Sequence, residues 1–189
     1  MVPLQTEAMF NSIYEQHHAD VLAYFLRRLD RSQSEEATAE VFVVAWRRID
    51  DVPTGAEIRP WLFGVAHNVL RNRQRTIRRV GRLLARLAAT RDEQPPTPET
   101  VVLRRSEDQA VLNLMERLRP GDREVLRLRL WEEATFDEIA IVMACSRHAA
   151  EQRYRKALLR LRSISPNSGH VWKNETMTNP LERERTSEA

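Results

Sequence analysis

The sequence is poor in the residues and runs that mark several protein classes. Cys145 is its one cysteine, which excludes a framework of disulfides within one chain. Only five glycines are present, and they form no glycine-rich phosphate loop. No apolar run approaches the length of a membrane span, and the N-terminus lacks the charged-then-apolar layout of a signal peptide. These absences predict a cytoplasmic protein without membrane association.

Patterns that support catalysis are also missing. The five histidines lie at no metal-ligand spacing with acids, and Cys145 has no evident histidine partner. A nuclease or another enzyme acting on nucleic acid is therefore disfavoured. The chain is expected to be no enzyme and to use no metal, cofactor or small-molecule substrate.

Positive charge is unevenly placed along the chain. The formal net charge is only +3, yet the stretch from Arg59 to Arg91 contains nine arginines and no acid. Such a stripe concentrates positive potential and suits a polyanion, most simply a nucleic acid. Composition alone does not distinguish DNA from RNA.

Helical periodicity dominates and strand signals are nearly absent, which predicts an all-α protein with two small helical domains. Pro95, Pro96 and Pro98 forbid regular helix between them. Ser106 and Gln109 offer a capping box for the second domain. The predicted division is a helical bundle at 1–90, a flexible linker at 91–105, a second helical domain at 106–165 and a disordered tail at 166–189.

The first domain should contain three helices. The expected buried side of the first comprises Phe10, Ile13, Tyr14, His17, Val21, Tyr24 and Phe25. In the second, at about 34–49, the run from Val41 to Trp46 is apolar throughout and covers the whole circumference of a helix. Either this helix is internal, or part of its surface docks on a large partner.

The third helix should bury Ile58, Leu62, Val65, Ala66 and Val69. Its opposite side comprises Gly64, His67, Asn68, Arg71, Arg75 and Arg78. Because this side has no acid to neutralise it, contact with nucleic acid is favoured over a merely solvated face. Trp61 is either part of the core or an aromatic surface on which an unpaired base stacks.

The segment from Thr135 to Leu161 has the pattern of a helix-turn-helix. Thr135 and Glu138 have the spacing of a capping box, so the first helix should begin at Phe136, and Ser146 can cap the second helix. The apolar side of the second helix comprises Ala150, Tyr154, Ala157, Leu158 and Leu161. Its other side carries groups that pair with base edges or phosphates, namely Arg147, His148, Glu151, Gln152, Arg155 and Lys156. Two packed helices with a solvated face would share the periodicity, but these residue types favour reading of DNA in the major groove.

Several motifs carry a resemblance to a known family. They are, in order, FNSIYEQHHADVLAYFLRRL, SEEATAEVFVVAWRRID, RPWLFGVAHNVLRNRQRTIRR and, after the linker, LRPGDREVLRLRLWEEATFDEIAIVMACSRHAAEQRYRKALLRLR. Over about residues 10–162 the chain resembles bacterial RNA polymerase sigma factors of the sigma-70 family, in their extracytoplasmic-function branch. The short linker in place of a third folded domain is similar to that branch.

The resemblance implies binding to core RNA polymerase and promoter-specific initiation of transcription. It implies polymerase docking through Glu40, Val41, Phe42, Val44, Trp46 and Arg47. It implies contact with the promoter element near the start site through Trp61, Asn68, Arg71, Asn72 and Arg75. It implies contact with the more distant element through Arg147, His148, Glu151, Gln152, Arg155 and Lys156. It also suggests an anti-sigma factor as an inhibitory partner.

Three positions depart from the family pattern. Ala144 and Glu133 stand where the family often has glycine, so either these backbones differ or the domain tolerates a positive φ at a cost of about 1 kcal/mol. Glu151 replaces a residue that is often basic or small. It either accepts from a cytosine amino group or repels phosphate.

An alternative function is a helix-turn-helix regulator that acts without polymerase. Such a protein would be expected to dimerise on palindromic DNA. The sequence offers no evident dimerisation helix beyond the run from Val41 to Trp46.

Overall fold

In the part of the chain that the structure describes, six helices and a further helical turn at residues 113–116 form two bundles. This computed structural model describes residues 4–88 and 113–164. The helices are α1 (Leu4–Leu26), α2 (Arg31–Arg47), α3 (Ile58–Ala88), α4 (Pro120–Leu130), α5 (Phe136–Met143) and α6 (Arg147–Ile164). These residues contain no strand, and the all-α prediction is confirmed. The predicted linker, the Ser106 capping box and the predicted tail lie outside the described residues.

The N-terminal bundle consists of α1, α2 and α3, each packed on the other two. Asp30 starts α2, since its side chain accepts a hydrogen bond of 2.9 Å from the backbone N–H of Gln33. Two short 3₁₀ turns, Ile49–Asp51 and Gly55–Glu57, lead from α2 into α3. The centre of the bundle is filled by Val21, Phe25, Ala37, Val41, Ala45, Leu62, Phe63 and Ala66.

The apolar run on α2 is neither wholly internal nor wholly exposed. Val41, Phe42 and Ala45 are buried, whereas Val43 is 47% exposed. On α1, burial is confirmed for Ile13, Val21, Tyr24 and Phe25. The prediction for Tyr14 is wrong: it is 41% exposed, and its ring packs against that of Phe42 at a surface groove instead of entering the core.

The C-terminal bundle confirms the helix-turn-helix. The backbone N–H of Thr135 donates to Glu138 Oε2 at 2.6 Å, and the N–H of Glu138 donates to Thr135 Oγ1 at 3.2 Å, which is the predicted capping box. Ser146 Oγ accepts from the N–H of Ala149 at 3.1 Å and so caps α6. On the predicted apolar side of α6, which packs on α4 and α5, the residues Ala150, Tyr154, Ala157 and Leu161 are buried and Leu158 is half-buried.

Two residues of this bundle adopt the left-handed backbone conformation. Glu133 has φ 53° and Ala144 has φ 49°. They are the two positions at which the sequence departs from glycine. The domain therefore tolerates the strain: the N–H of Ala144 bonds to the carbonyl of Ile141 at 3.2 Å and so ends α5.

Relief of this strain gives a stability prediction. Ala144→Gly and Glu133→Gly should each raise the free energy of unfolding by about 0.5–1 kcal/mol, because glycine adopts a positive φ without a Cβ penalty. Urea denaturation measures the change. Ala39→Gly, inside α2, is the matched control and should lower the free energy of unfolding by about 1 kcal/mol. A loss of stability in all three variants would contradict the account.

The two bundles pack directly on each other, which the sequence did not predict. Helix α5 lies on α3, where Gly64 permits a close approach: a Cβ at Gly64 would lie 3.8 Å from the carbonyl oxygen of Ile141 and from Val142 Cα. We call this packing of the two bundles the closed arrangement.

Candidate functional site

An aromatic groove of about 430 Å³ lies between α1 and α2. The ring centroids of Phe10 and Trp46 are 5.0 Å apart in an edge-on arrangement, and those of Tyr14 and Phe42 are 4.8 Å apart. The residues that line the groove are Phe10, Tyr14, His18, Glu35, Ala39, Phe42, Val43 and Trp46. An apolar concavity with one exposed aliphatic side chain, Val43, suits a protein partner.

The residues predicted to dock on polymerase occupy different depths around this groove. Phe42 and Trp46 line it. Val41 is fully buried and Val44 is half-buried, and neither lines the groove. Glu40 accepts from Arg73 Nη2 at 2.9 Å, and Arg47 is exposed.

Six residues that line the groove are not among the predicted docking residues: Phe10, Tyr14, His18, Glu35, Ala39 and Val43. A signal for three of them was present, since Phe10, Tyr14 and His18 are spaced by four and therefore share one stripe of α1. The position of Val43 follows only once the buried side of α2 is known.

The residues predicted to contact the proximal promoter element lie on α3 and at its start. Asn68, Arg71, Asn72 and Arg75 are exposed. Among the described residues no carboxylate pairs with Arg71 or Arg75. Trp61 is half-buried, and the Arg48 guanidinium lies 5.8 Å from its ring centroid.

The predicted basic side of α3 is divided by the closed arrangement. Gly64 lies against α5, and His67 Nδ1 is 3.9 Å from Glu124 Oε1 of α4. Burial lowers the pKa of His67, an effect that Glu124 opposes. His67 is thus neutral near pH 7 and belongs to the contact between the bundles, while the arginines further along α3 stay accessible.

Helix α6 presents its predicted DNA-reading residues unequally. His148, Arg155 and Lys156 are exposed and Gln152 is half-buried. Arg147 Nε donates to Glu151 Oε1 at 3.0 Å, and Arg147 also binds Asp137 at 2.9 Å. The Glu151 carboxylate is therefore engaged by a neighbour on its own helix.

A buried cluster of charges joins the two bundles. The side chain of Arg28, on the loop after α1, is 0% exposed and donates to Glu124 Oε1 at 3.1 Å and to Glu132 Oε1 at 2.8 Å. Tyr24 completes it, since its hydroxyl donates to Glu124 Oε1 at 2.8 Å. We call Tyr24, Arg28, Glu124 and Glu132 the junction cluster. Arg27 also binds the Glu132 carboxylate.

Ion pairing within the junction cluster favours the charged forms of Arg28 and Glu124. Burial alone would lower the pKa of Arg28, but Glu124 and Glu132 raise that pKa above its ordinary value. Burial alone would raise the pKa of Glu124, but Arg28 lowers it. The cluster was not predicted from the sequence, although Glu124 shares a face of α4 with the buried Leu128, four residues on, and an acid at such a position calls for a partner.

Two kinds of feature are absent from the described residues. None of their helices is both long and apolar enough to cross a bilayer. They also contain no group of three or more side chains that could hold a metal ion.

Comparisons with known proteins agree on one relationship. Residues 13–80 match the family Sigma-70 region 2, and residues 114–163 match Sigma-70, region 4. The RNA polymerase sigma factor CnrH of Cupriavidus metallidurans is 30% identical over 138 residues, covering 69% of this chain and 72% of that protein. The RNA polymerase sigma factor NccH of Alcaligenes xylosoxydans xylosoxydans is 27% identical over 159 residues, covering 81% of this chain and 85% of that protein. The sigma factor RpoE of Bartonella quintana, solved in complex with the anti-sigma factor NepR, shares the fold with a TM-score of 0.62 at 16% identity, covering 82% of this chain and 94% of that one.

Proposed function

The chain belongs to the RNA polymerase sigma factors of the sigma-70 family, in the extracytoplasmic-function branch, and on this premise we propose how its surfaces divide the work of initiation. As a sigma factor it binds core RNA polymerase and directs promoter-specific transcription. The observation that carries the proposal is the order of regions 2 and 4, with an aromatic groove on the first and a helix-turn-helix in the second.

The aromatic groove is the polymerase-docking surface. Phe42 and Trp46 line it and Val43 projects from it, while Glu40 and Arg47 are exposed on the same helix. Apolar side chains in a concave site desolvate well on contact, which is what the centre of a protein interface requires. Docking on polymerase would bury the apolar surface of α2 that the N-terminal bundle leaves exposed.

The exposed part of α3 contacts the proximal promoter element. Arg71 and Arg75 bind phosphates, while Asn68, Asn72 and Trp61 contact bases that thermal unpairing has exposed. Capture of an unstacked base at a flexible step holds the strands apart. No covalent bond is made or broken by these residues, so the chain acts without catalysis of its own.

Helix α6 reads the distal promoter element in the major groove. Arg155, Lys156, His148 and Gln152 are the side chains that contact DNA. Arg147 and Glu151 neutralise each other and shape the edge of this surface.

Protection of promoter DNA tests this division. With core polymerase and the protein together, nuclease footprinting should show two separate protected elements. Core polymerase alone and this protein alone should protect neither promoter element. Each DNA-binding surface buries little area by itself, and the two bind strongly only when polymerase holds them on one complex. Absence of protection in the full mixture would overturn the proposal.

Arg155→Ala should weaken binding of the holoenzyme to its cognate distal element by about 1–3 kcal/mol, because alanine cannot form the bidentate hydrogen bonds that arginine makes to a base edge. Binding to a scrambled distal element should change little. Anisotropy titrations on the two DNAs measure both values. An equal loss of affinity on both would make Arg155 a phosphate-binding residue instead of a base reader.

Arg71→Ala combined with Arg75→Ala should flatten the salt dependence of promoter binding. The slope of log K against log salt should fall by roughly 0.9 for each phosphate that the variant no longer neutralises. Arg31→Ala, which removes an exposed arginine at the start of α2, is the control and should leave the slope unchanged. If the double variant also kept its slope, this part of α3 would not contact the DNA backbone.

Two further assignments follow from family membership. The protein acts in the cytoplasm, where polymerase and promoter are found. An anti-sigma factor regulates it, as the complex of Bartonella RpoE with NepR illustrates for a protein of the same fold.

A further inference from the structure

A cleft of about 710 Å³ lies between the two bundles, and seven of the residues that line it are arginines. Arg71, Arg75 and Arg78 of α3 form one wall. The other wall is formed by Arg119, Arg123, Arg127 and Arg153 of the C-terminal bundle. The cleft exists only in the closed arrangement, because its walls belong to different bundles.

The acids that line this cleft are already engaged. Asp122 binds Arg160, and Glu124 accepts from Arg28 and Tyr24 in the junction cluster. Glu116, nearby, is shared between Arg123 and Arg127. In residues 4–82 and 113–164, no carboxylate pairs with the remaining arginines of the cleft, which are Arg71, Arg75, Arg78, Arg119 and Arg153.

The floor of the cleft contains a buried and incompletely partnered cation. Arg127 is 8% exposed, and its Nη2 donates to Glu116 Oε1 at 3.3 Å. Its Nε has no hydrogen-bond partner among the described residues, and the same is true of Arg123 Nε. Burial, together with the nearby charge of Arg28, lowers the pKa of Arg127 to about 10. A buried guanidinium with an unused donor is costly unless an anion compensates it.

The positive end of α4 opens onto the same space. Pro120 and Gly121, the first residues of this 11-residue helix, line the cleft beside Arg119. The helix dipole favours negative charge at that position. The dipole and the arginines therefore act in the same direction.

We propose that this cleft binds a small polyphosphate, bridging the arginines of α3 to those of α4 and α6 and holding the closed arrangement. The chemistry recognised is a run of phosphates, present both in a nucleoside triphosphate and in inorganic polyphosphate. Arginine forks suit phosphate oxygens geometrically, and the volume lies within the range of small-molecule sites. A DNA duplex does not enter a cavity of this size, although duplex DNA would use Arg71 and Arg75 once the bundles separate.

Binding of the anion requires neither polymerase nor DNA and is therefore separate from promoter recognition. Arg71 and Arg75 cannot serve the cleft and the promoter at once. A bound polyphosphate therefore opposes promoter engagement through linkage: it stabilises the state that it binds.

Calorimetric titration of the full chain with inorganic tripolyphosphate, at constant ionic strength, tests the proposal. Arg71→Gln with Arg119→Gln removes one exposed arginine from each wall and should weaken binding at least about tenfold. Arg79→Gln with Arg82→Gln makes the same change of charge on exposed α3 positions outside the cleft. This control should weaken binding less than about twofold. Equal weakening by both pairs, or no binding to the unaltered protein, would overturn the proposal.

An uncharged, bulky side chain introduced between the two bundles tests whether binding requires the closed arrangement. Gly64→Phe places a ring where α5 approaches α3 and should abolish most of the affinity for tripolyphosphate, whereas Gly64→Ala, whose Cβ has room, should retain it. Undiminished affinity in Gly64→Phe, with the bundles shown by scattering to be apart, would overturn the proposal. Titration with adenosine triphosphate distinguishes the sources: tighter binding than tripolyphosphate supports a nucleotide, and weaker binding supports inorganic polyphosphate.

Discussion

Glu124→Gln combined with Glu132→Gln is expected to separate the two bundles. The Arg28 side chain is 0% exposed in the closed arrangement and would lose both of its carboxylate partners. An unpaired buried charge costs about 3–5 kcal/mol, whereas Arg28 in a separated chain is solvated and incurs no such cost. The ratio of closed to open molecules should therefore fall by a factor of about one hundred to several thousand.

Small-angle X-ray scattering measures this change as an increase in the radius of gyration. The far-UV circular dichroism spectrum of the variant should remain that of a helical protein. Asp50→Asn with Glu57→Gln is the matched control, because it removes the same charge from exposed positions. An unchanged scattering curve in the junction variant would mean that the cluster does not hold the bundles together.

Opening has a functional consequence. If residues 91–105 form the linker that the sequence predicts, about fifteen residues at roughly 3 Å each would span up to about 45 Å, enough to place the two DNA-binding surfaces on separate promoter elements. In the closed arrangement α5 and α3 are in contact, so the surfaces cannot spread in this way. The junction variant should accordingly saturate promoter binding with core polymerase at a lower concentration than the unaltered protein.

Val43→Asp is expected to weaken association with core polymerase by about 2 kcal/mol or more, which is roughly a thirtyfold loss of affinity. Val43 is 47% exposed at the aromatic groove, and docking would force the introduced carboxylate into an apolar contact without a partner. The fold should survive because the side chain points out of the core. Phe42→Ala is a poorer test: Phe42 is 4% exposed, and its truncation would also cost about 3–5 kcal/mol of core stability.

A binding titration with fluorescently labelled protein and purified core enzyme measures this loss of affinity. Ile77→Asp introduces the same charge at a side chain that is 62% exposed on α3, away from the groove, and should bind as the unaltered protein does. Equal affinity of the Val43 and Ile77 variants would remove the groove from the polymerase interface.

The features that sequence predicted well are those fixed by local chemistry. The capping box of Thr135 and Glu138, the Ser146 cap and the buried side of α6 each depend on residues within one or two helical turns. The strained backbones at Glu133 and Ala144 were one of two alternatives that these single positions left open. The ion pair of Arg147 with Glu151 has a spacing of four and was open to the same reasoning.

The features that sequence missed depend on contacts between distant segments. Arg28 and Glu124 are about one hundred positions apart, and no periodicity links them. Because Gly64 and His67 share the helical side of Arg71, a helical wheel places all three against nucleic acid, whereas α5 and Glu124 cover the first two. A helical wheel of α1 places Tyr14 on the core side. The wheel does not show that α2, which packs there through Phe42, leaves the Tyr14 side chain partly exposed.

Run-off transcription with purified core RNA polymerase and a library of promoters, with and without this protein, shows whether the chain directs initiation. We expect transcripts from a defined subset of promoters only when the protein is added. If core polymerase initiated from no promoter in its presence, beyond what the core enzyme does alone, the chain would not act as an initiation factor.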